Sequence, residues 1–199
     1  MSESPSSPDA LRVGHVPGVT LTKWRTRWAE RVPARLDVVE VADAAVRRVL
    51  DAGEVDLCFA RLPLDTDGLH AIALYEEVVV AWVSREHPVA AYDAVTLSDL
   101  TDETVLTAGE VAGQGPVALD RVLGGAVALV PMSVARSASR RDLTFCPVTD
   151  AEPVPVVLAW RRDQEHPLIQ EFIGIVRGRT ANSARTQQER AAPRRGRGR

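Results

Sequence analysis

At 199 residues the chain is the size of one compact domain or two small lobes, and 45% apolar residues is enough for a real core. No run approaches the roughly 20 apolar residues of a membrane span, and the polar, acidic start MSESPSSPDA is no signal peptide, so the protein reads as cytoplasmic. The net charge of −3 conceals an asymmetry: residues 177–199 hold eight arginines and one glutamate, +7, leaving −10 on the rest, which is not the profile of a domain that grips DNA with its folded face.

The first ten residues, Ser- and Pro-rich, read as a loose tail. Leu11 to Val16 reads as a short strand, and Pro17-Gly18 is a turn signal. Leu21, Trp24, Trp28 and Val32 then fall at offsets of 0, 3, 7 and 11, one face of a helix that Pro33 stops. Leu36 to Val41 alternates as a strand should. Asp43 stands where a helix N-cap belongs, Ala45, Val46, Val49 and Leu50 give the next helical face, and Gly53 is a C-terminal stop. Val55 to Ala60 is a nearly continuous apolar run, as in a buried parallel strand. Short connections and right-handed crossovers make these 60 residues a parallel sheet covered by helices.

Leu69 to Leu74 and Glu77 to Ser84 are strand-like, and two later stretches are alike. WVSREHP (82–88) follows the strand VVVAWV, and WRRDQEHP (160–167) follows VPVVLAW. Two strands running into charged His-Pro corners are read as the crossings between a pair of lobes, near Val83 and Trp160. His87 and His166 are read as corner residues, not ligands. A last helix, Pro167 to Val176, carries Leu168, Phe172, Ile175 and Val176 as its stripe. The tail at 179–199 has no apolar period and is expected to be disordered, with weak, non-specific nucleic-acid binding as its functional reading and a solvated end as its plain one.

No catalytic constellation is present: no GxSxG, P-loop or HExxH, and no defensible Cys-His spacing. Cys58 and Cys146 belong to no CxxC pair, and Cys58 sits in the apolar run VDLCFA as a buried thiol. No metal, cofactor or enzymatic activity is expected.

The order of motifs resembles the effector-binding domain of LysR-type transcriptional regulators. The resemblance rests on LRVGHVPGVTLT, a helix ending ERVP, LDVVEV, LDAGEVDLCFARLP and LYEEVVVAWVSREHPVA, followed by VALVPMSVAR and PVVLAWRRD. It implies an α/β fold of two lobes, periplasmic-binding-protein-like (type 2), with mixed sheets flanked by helices. Lobe I is expected at 11–82 and 156–178 and lobe II at 83–155, within a domain spanning 11–178. Two departures stand out. The family's helix-turn-helix has no counterpart in the ten residues before the first strand, so its sequence-specific DNA contact does not carry over. Lobe II is also short: EVAGQGP (110–116) bridges a distance where the family has about 30 more residues, roughly one αβ unit. In the family that unit packs against the first helix of a second subunit. The standard dimer is therefore in doubt, and the Trp24/Trp28 helix is a possible surface for another protein partner, unless the two rings face the core.

In an open α/β sheet, ligands bind beyond the carboxyl ends of parallel strands, where helix N-termini favour anions. VPGVTLT is the first such turn: Gly18 allows close approach of a ligand, and Thr20 and Thr22 offer hydroxyls for it or for capping the helix. In the resembling family this turn contacts a small effector, often a carboxylate, and Ser or Thr frequently stands where Asp43 does. Asp43 would repel a carboxylate; Arg61, after the third strand, could offset it, or pair with Asp43 or Asp56 and leave nothing for a ligand. Thr107 would face the cleft from lobe II. His15 also follows the first strand, more simply as a structural residue. The reading is a non-enzymatic effector-binding or regulatory protein without its own DNA-binding domain. The alternative is a protein–protein interaction module with a degenerate cleft.

Overall fold

The computed structural model describes residues 10–178. The two tails read from the sequence, with the proposed nucleic-acid binding of the second, lie outside the described residues except for Ala10. In chain order the elements are β1 (Ala10–His15), α1 (Thr22–Arg31), β2 (Arg35–Glu40), α2 (Val46–Asp51), β3 (Leu57–Arg61), β4 (Leu69–Glu77), β5 (Val79–Ser84), β6 (Val105–Thr107), α3 (Ala108–Gln114), α4 (Pro116–Leu123), β7 (Val127–Pro131), α5 (Met132–Ser137), β8 (Leu143–Pro147), β9 (Val154–Arg161) and α6 (Pro167–Val176). Among them no helix is long and apolar enough to cross a membrane.

The strands form two sheets, one per lobe. The first has the order β2-β1-β3-β9-β4, with β1 parallel to β2 and β3, and β9 antiparallel to β3 and β4. The second has the order β6-β7-β5-β8, with β6 parallel to β7 and β5 antiparallel to β7 and β8. Both follow one plan: parallel strands at one edge, a strand that has just crossed over, then a last strand. The second sheet is one strand short. Where the first has β2 beside β1, the chain after β6 runs straight through α3 and α4 into β7.

The crossings are not where the two His-Pro segments suggested. Glu77 ends β4 in the first sheet and Val79 begins β5 in the second, so Val78 is the outward crossing. Lobe I thus ends before residue 82, and β5 belongs to lobe II. The return runs between Pro147, the end of β8, and Val154, the start of β9. Val83 and Trp160 lie toward the far ends of β5 and β9, buried within their own lobes. The likeness of the two segments has a different cause. Each strand runs into a histidine whose Nδ1 accepts a main-chain N–H two residues on, from Val89 and Leu168 respectively, both at 3.2 Å. Each histidine is followed by proline at the first turn of a helix, where a missing N–H costs nothing.

The core of lobe I is aromatic at its centre. Trp24 stacks on Phe59 at 4.7 Å between ring centroids, Trp28 meets Phe172 at 5.7 Å, and Phe59 meets Phe172 edge-on at 6.1 Å. Trp28 satisfies its indole N–H on the Ala34 carbonyl at 2.7 Å. Trp24 and Trp28 are 5% and 2% exposed, so both rings face the core, and the possible partner surface built on them is excluded. The 3-4 spacing that made α1 a helix also turns both rings onto the sheet.

Candidate functional site

The site begins at the carboxyl end of β1. There the chain leaves the sheet with the Val16 N–H on the Phe59 carbonyl and the Val19 N–H on the Val16 carbonyl. Gly18 takes φ +85°, a left-handed conformation that glycine adopts at little cost. A Cβ there would lie 2.7 Å from the main-chain carbon of Ser133 and 2.8 Å from its carbonyl oxygen and Oγ. Glycine is needed for the turn and also for close approach of the lobes, since Ser133 belongs to α5 of lobe II. Thr20 is exposed beyond the turn. Neither threonine caps α1: the N-cap is Leu21, without a side-chain bond. Thr22 is the first helical residue, and its carbonyl accepts from Thr26 Oγ1 at 3.1 Å.

Arg61 ends β3 and is the centre of the arrangement. Its Nε donates to Glu77 Oε2 at 2.7 Å, and its Nη1 lies 3.3 Å and 3.4 Å from the two carboxylate oxygens of Asp43. Its Nη2 donates to the Pro17 carbonyl at 2.7 Å and to Ser133 Oγ at 2.9 Å. The Arg61 and Glu77 side chains are each 7% exposed, and that of Asp43 is 39% exposed. One guanidinium therefore joins the β1–α1 turn, the start of the second helical segment, the outward crossing and lobe II. Asp43 opens a 3-10 turn (Asp43–Ala45) before α2 but makes no cap; its carboxylate faces Arg61 instead. Asp56, fully buried, pairs with Arg12 at 2.7 Å and accepts from Gln164 at 2.8 Å.

A cleft of about 500 Å³ opens beside this network. Gly18 and Thr20 line it from lobe I, Glu76, Glu77 and Val78 from the crossing, and Met132, Ser133, Arg136 and Ser137 from α5 of lobe II. The Val78 carbonyl accepts the Met132 N–H at 2.9 Å, which ties the crossing to the start of α5. Of the six residues expected at a ligand site, Gly18 and Thr20 line this cleft. Arg61 and Asp43 brace it from behind, Arg61 through Glu77 and Ser133.

Thr22 and Thr107 are not in the cleft lining. Thr107 caps α3 instead: its Oγ1 accepts the Glu110 N–H at 3.3 Å while Glu110 accepts the Thr107 N–H at 2.8 Å. These bonds hold the exposed Glu110 carboxyl below its usual range. His15 is also absent from the lining; its Nδ1 lies 3.2 Å from the Val16 carbonyl.

The residues missed by sequence reasoning are Glu76, Glu77, Ser133, Arg136 and Ser137. A signal existed for the α5 side. VALVP is a strand, and the residues after it begin a helix at its carboxyl end, the placement that drew attention to VPGVT in lobe I. No group of acidic, histidine or cysteine side chains among the described residues could hold a metal ion. Burial, aided by Asp43, pushes the Cys58 thiol up to about 12.

The sequence model of the LysR substrate-binding domain matches residues 10–124. The transcriptional regulator CatR of Pseudomonas putida, of the helix-turn-helix type, is 25% identical over 156 residues, 64% of this chain and 53% of its own length. AlsR of Bacillus subtilis (strain 168), of the same type, is 23% identical over 167 residues, 71% of this chain and 55% of its own. The chain thus spans about half the length of the curated relatives it matches.

Among solved structures, the BenM effector-binding domain with its effector benzoate superposes with a TM-score of 0.68 at 21% identity, covering 93% of this chain and 96% of that one. Full-length CbnR in complex with target DNA gives 0.67 at 20%, covering 86% and 69%. At such identities the structures establish a shared two-lobed fold. With more than half of its residues matched by the family model, the chain belongs to the LysR substrate-binding-domain family.

Proposed function

We propose that the chain is a non-catalytic, cytoplasmic regulatory module that binds one small-molecule effector in the cleft between its lobes. The observation that carries this reading is the cleft itself. It holds about 500 Å³, within the range of small-ligand sites, and lies at the carboxyl end of β1 with walls from both lobes and the outward crossing. Ligand contact falls to Thr20, Ser133 and Ser137 through their hydroxyls, with the Gly18 main chain close by. Because both lobes and Val78 line the space, an effector bridging them stabilises the closed arrangement over an open one, the coupling a regulator needs. The relatives support the regulatory half: two are transcriptional regulators, and the BenM domain binds benzoate.

A second reading, an interaction module with a degenerate cleft, draws on Arg61. Its contact with Ser133 ties the lobes together with no ligand at all. A thermal-unfolding screen against a metabolite library separates the two. A ligand of the folded state raises the midpoint in a saturable, concentration-dependent way. Such a shift, weakened in Thr20→Val, is expected. A folded protein that responds to nothing favours the interaction module.

A further inference from the structure

The cleft's charges differ in how far they are already used. A guanidinium grips a carboxylate best through two parallel N–H donors. Arg61 has no such pair left: Nε serves Glu77, Nη1 faces Asp43, and Nη2 serves Pro17 and Ser133. A carboxylate ligand could reach it only by displacing one of these.

The acceptors are in the opposite state. Glu77 spends Oε2 on Arg61, while its Oε1 has no hydrogen bond among the described residues, on a side chain only 7% exposed that lines the cleft. The carboxylate of Glu76, its neighbour in the same lining, makes neither an ion pair nor a hydrogen bond among the described residues. Hydroxyls of Thr20, Ser133 and Ser137 add further acceptors. Arg136 is the opposing charge, exposed at the lobe II wall with its guanidinium 6.0 Å from the Phe145 ring. Counting Asp43, Glu76 and Glu77 against Arg61 and Arg136, the site and its surround are net negative by one.

We infer that the effector carries a protonated amine, held by Glu77 Oε1 and Glu76 at the crossing between the lobes. An ammonium brings three donors and no acceptor, which matches the spare acceptor capacity of the two carboxylates and the Thr20 and Ser137 hydroxyls. The inference rests on the cleft being the effector site, and its test separates the two claims.

Titration calorimetry on the full chain would use 1,4-diaminobutane and L-lysine against succinate and butanoate as probes. Saturable binding of an amine probe is expected, weakened roughly ten- to hundredfold in Glu76→Gln, the loss of one charge-assisted hydrogen bond. Glu76 is exposed, so this variant keeps its fold; Glu77→Gln is the second variant, read only if its thermal midpoint is retained. Binding of carboxylates alone would overturn the amine and leave the cleft standing. Amine binding unchanged in both variants would also overturn it. No binding by any probe, with none in the wider metabolite screen, would remove the cleft reading itself.

Discussion

At the scale of single residues, Arg61 holds the site together. Its pair with Glu77 is nearly buried, and removing one member of such a pair leaves an uncompensated charge. Arg61→Met is expected to cost about 3–5 kcal/mol in denaturant unfolding. Asp43→Asn should cost under about 1 kcal/mol, because that carboxylate is more than a third exposed. Equal losses from the two would mean that Glu77 is not the partner that matters. Gly18→Ala combines a strained φ with a methyl group driven into the Ser133 main chain. A loss of about 1–3 kcal/mol is expected from the backbone alone, and an unchanged thermal midpoint would show that the lobes do not meet there.

The Cys58 thiol gives a pH dependence. Below pH 9, its ordinary value, folded and unfolded chains both carry it neutral. Above that only the unfolded chain ionises until the folded value of about 12, so this group makes stability fall as pH rises through that window. Cys58→Ala should flatten the alkaline limb of a stability–pH curve. Arg61 itself was legible in the sequence as a cation at a strand end facing the cleft. Its pairing with Asp43 was one of the readings open there; Glu77 and Ser133 were not legible, because they lie 16 and 72 residues away and no local pattern links them.

At the scale of elements, period and punctuation carried most of the information. The offsets of Leu21, Trp24 and Trp28 define α1, and the apolar run before Arg61 is the buried strand β3. The same offsets could not say whether the apolar face met the sheet or a partner protein. Phe59 and Phe172, brought under α1 by β3 and α6, decide it. Trp24→Ala should therefore cost about 3–5 kcal/mol as a core truncation. A stable Trp24→Ala that loses a binding partner would restore the surface excluded above. Thr107 was expected to meet a ligand because it ends a strand. The Glu three positions on was the sign of a capping box, and that local bond took the hydroxyl first. Thr107→Ala should lower stability by about 1 kcal/mol and leave effector affinity unchanged.

For the whole molecule, the resemblance in motif order foretold two lobes and a shortened second one, and the sheets of five and four strands bear this out. The place of the crossings was not legible. Both crossing strands, β5 and β9, begin at the junction and end in alike His-Pro caps, so the conspicuous motif marks their far ends. The true outward crossing is Val78, an unremarkable residue inside one long run of strand-forming sequence from Leu69 to Ser84. Because that crossing lies in the cleft wall beside Glu76 and Glu77, whatever binds there touches the joint between the lobes directly.

Whether this cleft takes the effector is decided by titrating a hit from the unfolding screen into the wild-type chain and into Ser137→Trp. Ser137 is an exposed residue of the cleft wall, so an indole there fills space without entering a core. One ligand per wild-type chain is expected and little or none in the variant, with both proteins folded. Equal binding to the two would place the ligand elsewhere and contradict the cleft as its site.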